Sequence, residues 1–123
     1  MRPRRILVVD DEPILVRLLQ RALAAHGYEV AGAADGREAL AMLDEMPVDL
    51  ILSDVRMPVM DGPALLAALR ERPQAPPLIF ITGYGDHTDS QLRAMGAVEV
   101  HAKPLPAQTL VEIVRRNLES APR

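Results

Sequence analysis

At 123 residues, 49% of them apolar and with a formal net charge of −3, the chain is sized for one domain with one sizeable core. The absence of cysteine excludes disulfides and thiolate metal sites, while the acidic balance and the scarcity of aromatics (Tyr28, Tyr84, Phe80) argue against nucleic-acid binding; Arg2, Arg4 and Arg5 make only a local patch. No signal-peptide core and no apolar run near the ~20 residues of a membrane span is present, so the expectation is a cytoplasmic protein without membrane contact.

In chain order, RILVVDDE opens with an unbroken apolar run at 6–9 that stops at Asp10, Asp11 and Glu12. Helical periodicity follows: Pro13 stands in the first turn, Leu15, Leu18, Leu19, Ala22 and Leu23 share a face, and Gly27 is the expected stop. YEVAGA (28–33) reads as a weaker strand, and 37–45 as a second helix with Ala39, Leu40 and Leu43 apolar. VDLILSD (48–54) is again apolar up to an acid, Asp54, after which Pro58 and Asp61-Gly62 read as turns. A third helix begins after Gly62 with Leu65, Leu66 and Leu69 and must stop before Pro73. PLIFIT (77–82) ends at Thr82 and leads into Gly83, Tyr84 and Gly85, a loop needing backbone freedom. The segment at 87–96 is polar and weakly amphipathic, so its helix is expected to be the least firmly held. VEVHA (98–102) is a weaker strand ending before Lys103, and Leu110, Val111, Val114 and Leu118 mark a last helix at about 107–118.

Unbroken apolar strands imply burial on both faces, and crossovers of roughly ten or more residues suit parallel pairing through right-handed βαβ units. The expected fold is therefore a doubly wound three-layer α/β domain, (βα)5, with a five-stranded parallel sheet, a single domain over 1–123 with its core at about 5–119. In such a sheet the strand ends share one edge, where ligands bind. Asp10, Asp11, Glu12, Asp54, Thr82 and Lys103 should thus converge. Packed carboxylates repel unless a cation neutralises them, and oxygen-only ligands favour a hard ion such as Mg²⁺. Lys103 adds positive charge for an arriving anion; acids, Mg²⁺, an amine and a hydroxyl together describe phosphoryl chemistry.

The blocks ILVVDDEP, LILSDVRMPVMDGPALL, IFITGYGD and HAKPL, in this order and spacing, resemble response-regulator receiver domains, the phosphoacceptor modules of two-component signalling. The resemblance spans about residues 5–119. It implies a flavodoxin-like strand order 2-1-3-4-5, and it makes Asp54 the phosphoacceptor, Thr82 the switch hydroxyl and Lys103 the phosphoryl contact. It also implies that Asp10, Asp11, Asp54 and the backbone carbonyl of Arg56 hold Mg²⁺, or Mn²⁺, and that Lys103-Pro104 is cis, as X-Pro bonds permit. The implied donor is a sensor histidine kinase or a histidine phosphotransfer protein. The implied output is a downstream protein partner or a further domain of a longer regulator, with no direct nucleic-acid contact; the family also allows a phosphorylation-dependent homodimer through the last helices, although Leu110, Val111 and Val114 are equally explained by the core.

The chain departs from the family pattern at Val100, where receivers commonly carry Tyr or Phe, so displacement of the 82–89 segment, with Tyr84, is the expected route of switching. Arg56 and Tyr84 occupy positions where the family tunes loss of phosphate. Taken singly, Asp54, Asp11 and Glu12 read as caps or turn residues, Thr82 as a satisfied strand-end hydroxyl and Lys103 as a solvated lysine; their joint placement is what favours function. His26, His87 and His101 are not spaced as a metal set. Two rival classes are a phosphatase of the haloacid-dehalogenase type, whose D-x-D spacing Asp10-Asp11-Glu12 lacks, and a pseudo-receiver, against which the intact acids, Thr82 and Lys103 stand. The expectation is a signalling domain that catalyses only its own phosphorylation and dephosphorylation rather than an enzyme acting on a separate substrate.

Overall fold

The computed structural model describes residues 2–83 and 88–119. Strands and helices alternate as β1 (Arg5–Val9), α1 (Pro13–Ala24), β2 (Glu29–Ala33), α2 (Gly36–Glu45), β3 (Leu50–Ser53), α3 (Gly62–Leu69), β4 (Leu78–Thr82), α4 (Asp89–Ala94), β5 (Glu99–Ala102) and α5 (Ala107–Glu119). All neighbouring strands pair in parallel in the order β2-β1-β3-β4-β5. The acids at the ends of β1 and β3 therefore sit at the centre of the sheet edge, since those strands are adjacent with Val9 opposite Ser53.

The apolar runs do what their composition requires. Successive residues of β1, β3 and β4 alternate between two cores: Leu7, Val9, Ile51, Leu78 and Phe80 pack with α2, α3 and α4, while Ile6, Val8, Leu50, Leu52 and Ile79 pack with α1 and α5. Leu110, Val111 and Val114 of α5 all belong to the second core. Local chemistry sets the helix starts. Pro13 opens α1; Asp35 accepts from the Glu38 N–H at the start of α2; Asp61 accepts from the Ala64 N–H at the start of α3. Asp61-Gly62 is thus a cap followed by a tightly packed first helical residue rather than a bare turn. A Cβ on Gly62 would lie 2.5 Å from the Asp54 carbonyl oxygen and 2.5 Å from Phe80.

Gly27 stops α1 as expected: just past the last helical residue, Ala24, its N–H donates to the Ala24 carbonyl at 3.0 Å, the Tyr28 N–H reaches back to the Leu23 carbonyl, and its positive φ (91°) turns the chain toward β2. Two expectations need correction. The apolar face of α1 is only partly core. Leu23 is fully buried and Val16 packs inward, but Ile14 and Leu18 are 68% and 57% exposed. The apolar stripe is wider than its contact with the sheet, and the surplus borders the cleft described below. The fourth helix is shorter than expected, at six residues. Tyr84, Gly85 and His87 lie outside the described residues, as does 120–123.

Candidate functional site

At the carboxyl edge of the sheet, β1 delivers Asp10 and Asp11, β3 delivers Asp54, β4 ends on Thr82, and β5 leads into Lys103. Main-chain bonds fix Asp10, Asp54 and Lys103. The Asp10 N–H donates to the Ala33 carbonyl at 3.0 Å, the Asp54 N–H to the Val9 carbonyl at 2.9 Å, and the Lys103 N–H to the Thr82 carbonyl at 2.9 Å. Acid, hydroxyl and amine are therefore carried on neighbouring strand ends. Lys103-Pro104 is cis, as expected.

Asp10 is 4% exposed and fully engaged. Its Oδ1 accepts the Glu12 N–H at 3.0 Å and its Oδ2 accepts from Lys103 Nζ at 3.0 Å. Lys103 Nζ also donates to Asp54 Oδ2 at 3.1 Å and stands 4.0 Å from Glu12 Oε1. The other oxygen of Asp54, Oδ1, accepts the Val55 N–H at 2.7 Å. Burial alone would push the Lys103 ammonium down, but hydrogen bonds from it to Asp10 and Asp54 hold its pKa above the usual value. It is a permanent cation at this site.

Asp10, Asp11 and Asp54 each offer a carboxylate oxygen, all within 4.8 Å of one another. Three carboxylates against one ammonium leave the cluster net negative, and every donor atom is a hard oxygen. That set fits a divalent cation of the Mg²⁺ type. Arg56 is exposed and follows Asp54 by two residues, at the position the family resemblance assigns to a metal-binding carbonyl. Val100 is buried and packs in the core with Phe80 and Leu92. His101 is engaged with Glu99, and His26 is exposed in the turn after α1, so the described histidines form no metal set.

Two features went unread in the sequence. One is a cleft of about 730 Å³ that runs from Asp10, Asp54 and Lys103 down between α1 and α5, lined by Ile14, Leu15, Leu18 and Leu105. An apolar helical stripe gives no sign of whether the sheet is wide enough to cover it. The other is Ser53, a buried hydroxyl that donates to the Asp54 carbonyl at 2.7 Å. Inside an apolar run it looks like an ordinary strand residue.

A family model described as the response regulator receiver domain matches residues 6–115. Among curated relatives, the transcriptional regulatory protein GlrR of Escherichia coli K12 is 36% identical over 123 residues, covering 98% of this chain and 28% of that protein. The C4-dicarboxylate transport transcriptional regulatory protein DctD of Pseudomonas aeruginosa is 38% identical over 118 residues, covering 94% of this chain and 25% of that protein. The chain thus spans about a quarter of the length of these relatives. Among solved structures, the chemotaxis protein CheY4 of Vibrio cholerae superposes with a TM-score of 0.87 at 35% identity, covering 94% of this chain and 99% of that one.

Proposed function

The chain belongs to the response regulator receiver family of two-component signalling, and from that premise we propose that Asp54 is its phosphoacceptor, with Asp10, Asp11, Asp54 and the Arg56 carbonyl holding Mg²⁺ or Mn²⁺. The observation that carries this reading is the convergence of Asp10, Asp54 and Lys103 within hydrogen-bond distance at the carboxyl edge of the sheet.

An Asp54 carboxylate oxygen attacks the phosphorus of a phosphohistidine; the P–N bond breaks as the aspartyl phosphate forms, and the departing imidazole keeps the bonding pair. Lys103, already bridging Asp10 and Asp54, is placed to meet a transferred phosphoryl oxygen with its ammonium. A divalent cation bound by the three carboxylates would offset further charge on the phosphoryl group. Asp10, through its bond from the Glu12 N–H, keeps the acidic pair oriented toward that group. Thr82 then turns toward the modified Asp54, and the segment after β4 shifts, biasing a pre-existing equilibrium between inactive and active states. Buried Val100 takes no part as an aromatic switch.

The donor is a sensor histidine kinase or a histidine phosphotransfer protein in the cytoplasm, and the exposed Ile14 and Leu18 beside the cleft give it an apolar surface to engage. Output passes to a protein partner or to a further domain of a longer regulator, as the transcriptional relatives suggest. The domain catalyses only its own modification and turns over no separate substrate.

Intact mass after incubation with Mg²⁺ and phosphoramidate or acetyl phosphate tests the reading. A gain of one phosphoryl group is expected, absent in Asp54→Ala and absent with EDTA. Retention of the gain in folded Asp54→Ala would assign the acceptor elsewhere.

A further inference from the structure

Ser53 is 1% exposed, it lies next to the acceptor, and nothing in the proposed chemistry uses it. We propose that Ser53 is a positioning residue for Asp54, acting through the peptide plane that joins residues 54 and 55. This rests on the reading of Asp54 as the acceptor.

The sheet ladder ends at Ser53, opposite Val9 on one side and Phe80 on the other. The next peptide must be held by other means. Its carbonyl end, the Asp54 oxygen, accepts the Ser53 hydroxyl at 2.7 Å; its amide end, the Val55 N–H, donates to Asp54 Oδ1 at 2.7 Å. Those two groups belong to one rigid plane, so fixing the carbonyl fixes the direction of the N–H. Gly62 packs against the Asp54 carbonyl, too near it for any Cβ, and its N–H donates to the carbonyl of the following peptide, that of Val55, at 2.8 Å.

The carboxylate of an aspartate turns about an sp³–sp² torsion that has broad, shallow preferences of its own. An anchor on one oxygen is therefore needed if the other is to face the reacting group. Ser53 supplies that anchor at one remove: hydroxyl to carbonyl, across the peptide, and N–H to Oδ1. Oδ2 is left aimed at Lys103. Without the hydroxyl the plane is free to tilt, the Val55 N–H swings off Oδ1, and the carboxylate loses its bearing.

The test compares Ser53→Ala, Ser53→Cys and Ser53→Thr in ¹⁵N-labelled protein. In Ser53→Ala the Val55 amide proton should move upfield and exchange faster, while Ser53→Thr, which keeps the hydroxyl, should retain the parent shift. With phosphoramidate and saturating Mg²⁺ the maximal phosphorylation rate should fall about tenfold in Ser53→Ala, with the half-saturating donor concentration unchanged, and Thr should restore it. Ser53→Cys, similar in size and a weak donor, should fall between and serves in place of Ala if that variant does not fold. A merely structural serine would lower stability without moving the Val55 amide selectively or splitting rate from half-saturation. An unchanged Val55 amide, or a parental rate in a folded Ala or Cys variant, overturns the proposal. If the parent protein takes up no phosphoryl group while its Val55 amide still responds to Ser53→Ala, the relay stands and the acceptor reading fails.

Discussion

Val59 is, among the described residues, the one non-glycine position with a positive φ, 67°. The Met60 N–H donates back to the Pro58 carbonyl at 2.7 Å, closing a three-residue turn around it, and the side chain is 74% exposed. A β-branched residue in that region costs about 1–3 kcal/mol, and so exposed a side chain recovers little by packing. The turn persists because its far end is tied to α2 through the Gly36 N–H and the Met60 carbonyl, 2.9 Å apart. Val59→Gly should therefore raise stability by roughly 1 kcal/mol after the greater unfolded-state freedom of glycine is subtracted, seen as a higher urea midpoint at unchanged slope. An unmoved midpoint would mean that the turn carries no strain. The same loop shows which residues announce themselves. Asp10, Asp54 and Lys103 were legible because each interrupts or closes an apolar strand, and alternation placed those ends together. Val59 was not, because a turn that forces positive φ on valine is set by tethers distant in sequence, and Ser53 was not, because its role depends on a hydrogen bond to the residue beside it.

Among the elements, α4 stands apart. Its six residues bury Leu92, and a helix so short gains little from its own hydrogen bonds. It is held at its two ends instead. Thr88 and Gln91 exchange bonds at the start, with the Gln91 N–H on Thr88 Oγ1 at 3.2 Å and the Thr88 N–H on Gln91 Oε1 at 2.7 Å. At the other end Arg70, from the C-terminus of α3, donates to the Met95 carbonyl at 2.6 Å. Thr88→Ala should cost about 1 kcal/mol, felt locally. Hydrogen exchange is expected to quicken across Gln91–Met95 and to stay unchanged in β1 and β3; uniform acceleration would make the cap a global rather than a local support. The polar composition of 87–96 carries the expectation of a helix with little apolar anchorage, and Leu92 is its one buried residue. Its start is harder to read, because the cap that fixes it, Thr88, lies inside the same polar 87–96 segment. In α1 the spacing shows which residues share a face but not which are buried: whether Leu18 meets the sheet depends on how the helix sits across it.

At the scale of the whole molecule, two acids clamp segments far apart in sequence. Asp49, before β3, accepts the Arg5 N–H at 2.7 Å and pairs with Arg2 at 3.1 Å, joining the starts of two central strands. Glu99 joins the edge strand β5 to the last turns of α5, accepting from Asn117 and Arg116 at 2.6 Å each, with His101 at 2.8 Å. Burial would raise the pKa of Glu99, but hydrogen bonds from Asn117, His101 and Arg116 outweigh it and bring the group from an ordinary 4.5 to about 2. Asp49 is shifted the same way: burial is outweighed by its bonds to Arg5 and Arg2. A depressed carboxylate stabilises the fold fully above its unfolded value and loses that contribution as pH falls through the folded one. Stability should therefore decline on acidification from about pH 4.5 toward about 2, and Glu99→Gln should flatten that decline, as read by urea midpoints at several pH values. An equally steep decline in Glu99→Gln would remove Glu99 from the account. The alternation of elements made the parallel sheet legible, whereas the strand order came with the family resemblance, because apolar runs say that strands are central without saying beside which neighbour. The sheet also divides the interior into two cores, each fed by alternate residues of the same strands. Substitutions on opposite sides share no core partner, so their effects should combine almost independently. A lineage carrying this domain can then redraw the α1–α5 face by drift while the α2–α3–α4 face stays as it was, which makes the module separately evolvable on its two sides.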